Sequence, residues 1–314
     1  MGSTKFVGRV HGLALGLGIG SAMVALPWAA SAEPITPDIG SAFDVLPFAP
    51  AAVGATPDFA ISYDGMTLLQ EGNASATTVA GNYGLAVAYG DGSRAFDNGM
   101  YGQSYASGTD STSYIGGGTS NISIANGADS ITNVNGDNNF VDATGYMSNA
   151  SAVFGNSNVV IDNGSNTSTD YGAQVLGGSN DLVTVYGANS LADTGSSNDI
   201  LGIFGNNDSQ AFTQGLYDIA YIVGNGSSAT AGGGDYNLAA VFGDGSTAFA
   251  GLGNNDIAVA LGDLLSATAA GGNMTDIEPS MTAATSLADL FGGTASAGSF
   301  FTDLLDGSWL TGLL

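Results

Sequence analysis

The chain has 314 residues, of which 44% are hydrophobic and 50 are glycine. This apolar fraction argues against simple disorder. The formal net charge is −25, with 28 acidic and only 3 basic residues. Binding to nucleic acid or to anionic membranes needs several lysines or arginines, so we exclude both as partners. The chain has no cysteine, so no disulfide can stabilise its fold.

The first 32 residues have the pattern of a secretory signal. Lys5 and Arg9 precede an apolar run over residues 13–26, and residues 30–32 read Ala-Ser-Ala, an A-x-A cleavage site. We expect cleavage after Ala32. We therefore predict that the mature chain is secreted by a bacterium or carried on its surface.

The predicted mature chain offers little catalytic chemistry. Removal of the signal leaves Arg94 as its one basic residue and eliminates the single histidine, His11. The usual general base and the usual lysine and cysteine nucleophiles are then missing. Paired carboxylates that hydrolyse glycosides are the remaining route. We predict that the chain is not an enzyme.

Residues 33–80 are predicted to form a leader followed by an N-terminal cap. The leader is rich in proline, which is typical of an extended or linking segment. A short alternating run then indicates a first strand. The prolines are Pro34, Pro37, Pro47, Pro50 and Pro57, and the alternating residues are Phe59, Ile61 and Tyr63.

Residues 81–272 are predicted to form an all-β domain, a β-solenoid. Within residues 216–272 one unit of nineteen residues occurs three times, and Asp218, Asn237 and Asp256 hold the same place in it. A fixed period near twenty residues is the signature of stacked coils. Frequent glycine and the lack of a 3.6-residue spacing argue against helices. We expect about ten coils in this range.

Alternating runs within each unit predict which side chains face inward. In the run 238–242 we assign Leu238, Ala240 and Phe242 to the core. The intervening residues are apolar as well, so we predict that they form an exposed interface. Its partner would be another copy of the chain, around a threefold axis, or the chain's own terminal segments. The predicted interface residues are Val241, Ile222, Ala258, Ala260, Val183 and Val185, together with Ala239, Ala220, Ala86 and Ala88.

Two rows of Asp and Asn make calcium the candidate metal. Coils stacked at about 4.8 Å would bring successive carboxylates close together, and a hard cation would relieve their repulsion. The alternative is that turns favour Asp and Asn for their local backbone geometry. One row holds Asp91, Asn225, Asp244 and Asp263 in a turn, and the other holds Asp181, Asp199, Asp218, Asn237 and Asp256 before a strand. The candidate ligands are Asp91, Asp244, Asp263, Asp218 and Asp256.

Residues 273–314 differ in character from the repeats. The spacing of apolar residues after Pro279 predicts a short helix over residues 280–291, which Gly292 and Gly293 would end. A second apolar cluster follows in residues 300–314. We expect this segment to cap the exposed end of the solenoid or to attach the chain to a surface.

The units at residues 237–248 and 256–262 resemble the S-x-A-x-G-x-x-S-x-A repeats of trimeric autotransporter adhesin heads. The resemblance implies a β-roll that trimerises and binds host matrix. The chain is also similar in composition to Gly-, Ala- and Asn-rich exported proteins of mycobacteria. Both resemblances imply a cell-envelope or secreted setting.

We therefore expect an exported, acidic repeat protein that is structural or adhesive and acts through an extended solenoid surface. The alternative is a calcium-dependent binding module. In either case the expected partner is a polysaccharide or protein of the cell envelope or of a host surface.

Overall fold

The computed structural model describes residues 58–168 and 171–279. All of them belong to one compact unit. The predicted signal, the proline-rich leader, the C-terminal helix and the terminal apolar cluster lie outside the described residues.

The described residues form 24 β-strands in two sheets. No helix among them is long and apolar enough to cross a membrane. The larger sheet has thirteen strands: β1 (Phe59–Tyr63), β2 (Met66–Glu71), β4 (Leu85–Tyr89), β6 (Gln103–Ser107), β8 (Ile122–Asn126), β10 (Phe140–Thr144), β12 (Val159–Asn163), β14 (Leu182–Tyr186), β16 (Ile200–Phe204), β18 (Ile219–Val223), β20 (Leu238–Phe242), β22 (Ile257–Leu261) and β24 (Thr275–Pro279).

The second sheet has eleven strands, and each of them follows a strand of the larger sheet in the chain. They are β3 (Ser75–Thr78), β5 (Arg94–Asp97), β7 (Thr112–Gly117), β9 (Ile131–Asn135), β11 (Asn149–Val153), β13 (Gly172–Leu176), β15 (Leu191–Thr194), β17 (Gln210–Gln214), β19 (Ser228–Gly232), β21 (Thr247–Gly251) and β23 (Ser266–Ala270).

The chain winds as a parallel β-solenoid, in which one coil contains a strand from each sheet and two turns. Leu238 pairs with Ile219 in the preceding coil and with Ile257 in the next. Residues nineteen apart are therefore direct neighbours, which confirms the predicted solenoid. The smaller sheet gives eleven coils, against about ten expected from the repeats. One coil is longer, because Val159 pairs with Leu182.

The N-terminal end of the larger sheet has a different pairing. Strand β1 pairs antiparallel with β4 on one side and with β2 on the other. A hairpin therefore lies beside the first parallel strand of this sheet. At the other end the strands continue past residue 272, because β24 pairs with β22.

The core lies between the two sheets and is built of small side chains. In most strands the second and fourth residues are buried, as in β4, β6 and β17. In the larger sheet these positions hold Ala or Val in many coils, and in the smaller sheet they are mostly Ala. Such residues fill a thin interior, and the larger side chains of the larger sheet alternate with them on its outer side.

The predicted exposure of the intervening residues is wrong. All the residues predicted to form an exposed interface have 0% exposure: Val241, Ile222, Ala258, Ala260, Val183, Val185, Ala239 and Ala220 in the main core, and Ala86 and Ala88 in a second core cluster. Leu238 and Ala240 alternate with these residues and are buried too, as predicted, at 3% exposure each, whereas Phe242 is half-buried. Strand β20 is therefore buried on both sides over most of its length.

Candidate functional site

The exposed turn row of Asp and Asn forms hydrogen bonds between coils. Asp263 Oδ1 accepts from the backbone N–H of Asp244 at 2.8 Å, and Asp244 Oδ1 accepts from the N–H of Asn225 at 2.7 Å. Asn225 Oδ1 accepts from the N–H of Asn206 at 2.9 Å. Each side chain thus satisfies a backbone group of the preceding coil. Further along this row, Asp91 accepts from the side-chain amide of Asn73 at 3.0 Å.

A second row, which we call the inner ladder, runs along the opposite edge of the coils just before the strands of the larger sheet. The Oδ1 atom of each member except the last accepts from the backbone N–H of the next member, at 2.8–3.0 Å. All members are at most 2% exposed. The ladder consists of Asn121, Asn139, Asn158, Asp181, Asp199, Asp218, Asn237 and Asp256.

The second side-chain atom of these residues finds different partners in different coils. Nδ2 of Asn139 and of Asn158 donates to a glycine carbonyl oxygen of the next coil, at 2.9 Å in both cases. Asp199 Oδ2 accepts from three hydroxyl groups, those of Thr194, Ser196 and Thr213. The Oδ2 atoms of Asp181 and Asp218 are buried and have no hydrogen-bond partner.

Burial raises the pKa of several aspartates, because the charged form loses its hydration. The pKa of Asp181 and of Asp218 rises from 3.8 to about 7, although hydrogen bonds from the backbone, and for Asp218 also the side chain of Asn237, oppose the shift. For Asp162 in β12 the pKa also rises to about 7, and for Asp97 and Asp142 it rises to about 6, with burial the main cause in each. These carboxyls hold protons at a pH at which exposed aspartates are ionised.

The geometry does not bring the five predicted calcium ligands together. Asp91, Asp244 and Asp263 lie in the exposed turn row, whereas Asp218 and Asp256 belong to the inner ladder on the opposite edge of the coils. Over residues 58–168 and 171–279, no group of three or more His, Cys, Asp or Glu side chains is placed to hold a metal ion. Both rows instead use Asp and Asn as acceptors for backbone N–H groups.

On the other edge of the coils lies a row of buried serines that joins successive coils as the inner ladder does, and it was not predicted from the sequence. Ser209, Ser227 and Ser246 are buried, and each hydroxyl donates to a glycine carbonyl oxygen of the next coil, at 3.0, 2.8 and 2.6 Å. The signal in the sequence was a serine at a constant place after the Gly-rich turn. Both edges of the solenoid are therefore held by side chains bonded to backbone groups.

The outer side of the larger sheet carries a row of aromatic rings, which we call the aromatic row: Tyr186, Phe204, Tyr221 and Phe242. Successive ring centroids lie 5.1, 5.8 and 5.9 Å apart. Phe204 and the nearby Val223 are 38% and 40% exposed. Tyr186, Tyr221 and Phe242 are half-buried, so the exposed apolar surface of this row is centred on Phe204 and the adjacent Val223.

The outer side of the smaller sheet is more polar. The residues exposed there over β17, β21 and β23 include Gln210, Gln214, Thr247, Ser266 and Thr268. Phe212 in β17 and Tyr114 in β7 are also exposed on this side, at 40% and 41%, so aromatic side chains interrupt its polar surface.

Two stacked tyrosine pairs lie in the turns before the larger sheet. The rings of Tyr217 and Tyr236 are 5.0 Å apart and nearly parallel, and those of Tyr83 and Tyr101 are 5.7 Å apart. All four residues have φ between 53° and 62°, a left-handed conformation that bulky residues rarely adopt. Asn198 occupies the same place as Tyr217 in the preceding coil. Asparagine is a residue type that the left-handed conformation favours, and tyrosine takes its place in the next coil.

Comparisons with protein-family models, with curated proteins and with solved structures give no match to this chain.

Proposed function

We propose that this chain is an exported, acidic repeat protein of the bacterial surface or of the medium, with a structural or adhesive role. It contacts its partner through the outer side of the larger sheet. The observation that carries the proposal is the aromatic row, with its exposed apolar neighbours, on one side of the solenoid.

Exposed apolar side chains that adjoin one another, as Phe204 and Val223 do on neighbouring coils, are typical of an interaction surface. Four successive coils each add one ring to the aromatic row, with centroids 5.1–5.9 Å apart. A partner that is itself extended, such as a polysaccharide or an elongated protein, can contact several coils at once. Many weak contacts then combine into firm attachment.

The charge of the chain restricts the partner further. With 28 acidic and 3 basic residues, the chain repels anionic polymers. The partner is therefore neutral or basic. The resemblance of the repeats to autotransporter adhesin heads supports export, adhesion and a trimer, and the secretory pattern of residues 1–32 supports export.

A binding experiment with residues 33–314 tests the proposal. The variant Phe204→Ser/Val223→Ser removes the most exposed apolar groups of the row, and Gln210→Ser/Gln214→Ser changes the opposite sheet as the matched control. Both proteins would be compared with the unchanged chain for binding to immobilised neutral envelope polysaccharides and to matrix proteins.

We expect the first variant to bind at least tenfold more weakly and the control to bind as the unchanged chain does. Circular dichroism would establish that both variants are folded. Light scattering would test the trimer, and a variant that turns a trimer into a monomer would identify the second copy as the partner. Equal binding by all three proteins would contradict the proposal.

No observation in the described residues favours the calcium-dependent alternative. Its test is the melting temperature with calcium or with a chelator. A rise of several degrees at millimolar calcium would restore it, because a ligand that binds only the folded state stabilises that state.

A further inference from the structure

We propose that Asp181 and Asp218 join neighbouring coils as neutral acids, so that the inner ladder is a proton-dependent hydrogen-bond system and the solenoid loosens when these two residues ionise. In this arrangement the O–H of each acid donates to a backbone carbonyl oxygen of the next coil. The inference rests on the ladder alone and does not depend on the proposed function.

The coils of Asn139 and Asn158 show the complete hydrogen-bond pattern, whereas Asn237 Nδ2 is buried with no hydrogen-bond partner. Asn158 Oδ1 accepts from the backbone N–H of Asp181 at 2.9 Å, and its Nδ2 donates to the carbonyl oxygen of Gly178 at 2.9 Å. A Cβ added to Gly155 would overlap that carbonyl oxygen and lie 2.6 Å from Nδ2. The amide group therefore fills the space between one coil's glycine and the next coil's backbone.

The aspartate coils have the same geometry with an acceptor in place of the donor. A Cβ added to Gly215 would overlap the carbonyl oxygen of Gly234 and lie 2.6 Å from Asp218 Oδ2. At Gly178 an added Cβ would likewise overlap the carbonyl oxygen of Ser196 and Asp181 Oδ2. In both coils Oδ2 thus takes the place of Nδ2 beside a carbonyl oxygen.

Two oxygen acceptors that face each other in a buried site repel and leave a polar atom unsatisfied. One proton removes both costs, because a neutral carboxyl group has an O–H donor where asparagine has an N–H donor. Asp199, which lies between the two in the ladder, needs no such proton, since its Oδ2 already accepts from three hydroxyl groups.

The groups around these two residues offer no positive charge. The ionisable neighbour that acts on Asp181 is Asp199, and those that act on Asp218 are Asp199 and Asp235. Arg94 is the one basic residue among those described, and it lies in β5, several coils away. Like charges favour the neutral form further, so a proton is the available means of neutralisation.

The direction of the pH dependence follows from the raised pKa. The pKa of each carboxyl is about 7 in the fold and 3.8 for an exposed aspartate. Between these values the folded chain holds protons that the unfolded chain has lost, so stability falls as the pH rises from about 4 to about 7. Above that window the loss is complete, and the pH has no further effect through these groups.

The test uses the full chain and the double variant Asp181→Asn/Asp218→Asn, which supplies the donor permanently. Denaturant unfolding followed by circular dichroism at several pH values between 4.5 and 8 gives the unfolding equilibrium constant. For the unchanged chain each of the two carboxyls raises this constant by up to about tenfold per pH unit within the window. We expect the double variant to lose the part of the pH dependence that Asp181 and Asp218 contribute.

The matched control is Asp244→Asn/Asp263→Asn, which removes the same number of carboxylates from the exposed turn row. We expect it to keep the pH dependence of the unchanged chain. If the ladder double variant does not fold, each single substitution would be used, with half the expected change. An equal pH dependence in the ladder variants and the unchanged chain would overturn the proposal.

Infrared spectroscopy at pH 6 gives a second readout that does not depend on unfolding. The absorption of neutral carboxyl groups should be weaker by two groups in the ladder double variant and unchanged in the control. An unchanged absorption in the ladder variant would show that Asp181 and Asp218 are ionised, and would also overturn the proposal. So would stabilisation of the unchanged chain by sodium or calcium in place of acid.

Discussion

Buried polar side chains, more than turn conformation alone, explain the positions of Asp and Asn in this chain. Asn158 and Asp199 each accept a backbone N–H of the next coil, and both are fully buried. The sequence predicts that such residues recur at one place in each coil, and this is confirmed. It does not reveal their role, because the atoms to which they bond belong to a coil nineteen residues away.

Glycines that follow the strands of the larger sheet permit a close approach between coils. At Gly205 an added Cβ would overlap the carbonyl oxygen of Gly224, and Gly224 stands in the same relation to Gly243. The contact is with backbone, which cannot move aside without opening the stack. Steric contact, and not only a special φ, therefore excludes larger residues there.

We predict that Gly205→Ala destabilises the solenoid, whereas Gly195→Ala is nearly neutral. Neither glycine has a left-handed φ, but at Gly195 the nearest atom to an added Cβ is the carbonyl oxygen of Leu176 at an ordinary 3.5 Å. Overpacking typically costs about 1–3 kcal/mol, and a contact with fixed backbone lies at the upper end of that range. Urea unfolding of both variants measures the difference. Equal stabilities would show that the coils can separate locally at little cost.

The strands were predictable as elements, but their orientation was not. The alternating run 238–242 correctly indicates a strand, and the repeat correctly indicates its neighbours. A strand with apolar residues on both sides has no polar side to identify the solvent, so alternation alone does not show that Val241 lies in the core as well as Leu238. The consistently small residues, such as Ala229 and Ala248 in the smaller sheet, were the signal that the interior is thin.

The inward and outward positions of β21 provide a direct test of the orientation. Ala248 is 2% exposed and lies in the core, whereas its neighbour Thr247 is exposed on the outer side. We predict that Ala248→Leu destabilises the fold by about 1–3 kcal/mol, since the core has no space for a larger side chain.

The matched substitution Thr247→Leu should change the stability by less than about 0.5 kcal/mol, because it lies at the surface. The midpoints of thermal and denaturant unfolding would be measured for both variants. A larger effect at Thr247 than at Ala248 would mean that the strand faces are assigned the wrong way round.

At the scale of the whole solenoid, the repeat in the sequence predicted the architecture and nearly the number of coils. The looser sequence between residues 100 and 177 obscured the count, because Ser, Thr and Asn there replace the apolar residues of the later units. Buried Ser104, Ser113 and Ser123 bond to one another inside the solenoid. The interior is therefore polar in these coils, and for that reason the repeat is harder to recognise in their sequence.

Each coil pairs only with its two neighbours, so the solenoid should tolerate the loss of a complete coil. Deletion of residues 219–237 joins Asp218 directly to Leu238, which then pairs with Ile200 as Ile219 does in the intact chain. Every later residue keeps its face, its turn and its place in the inner ladder. We predict a folded protein with a melting temperature within a few degrees of the intact chain, since stability in such arrays is a sum of nearest-neighbour terms.

Deletion of residues 219–228, slightly more than half of a coil, is the control. It joins Asp218 to Ala229, so that a strand of the smaller sheet enters the larger sheet one position out of register and later coils lose their partners. We expect loss of the cooperative transition in circular dichroism. A folded control, or an unfolded chain after the nineteen-residue deletion, would show that the coils are not equivalent units and that one of them nucleates the others.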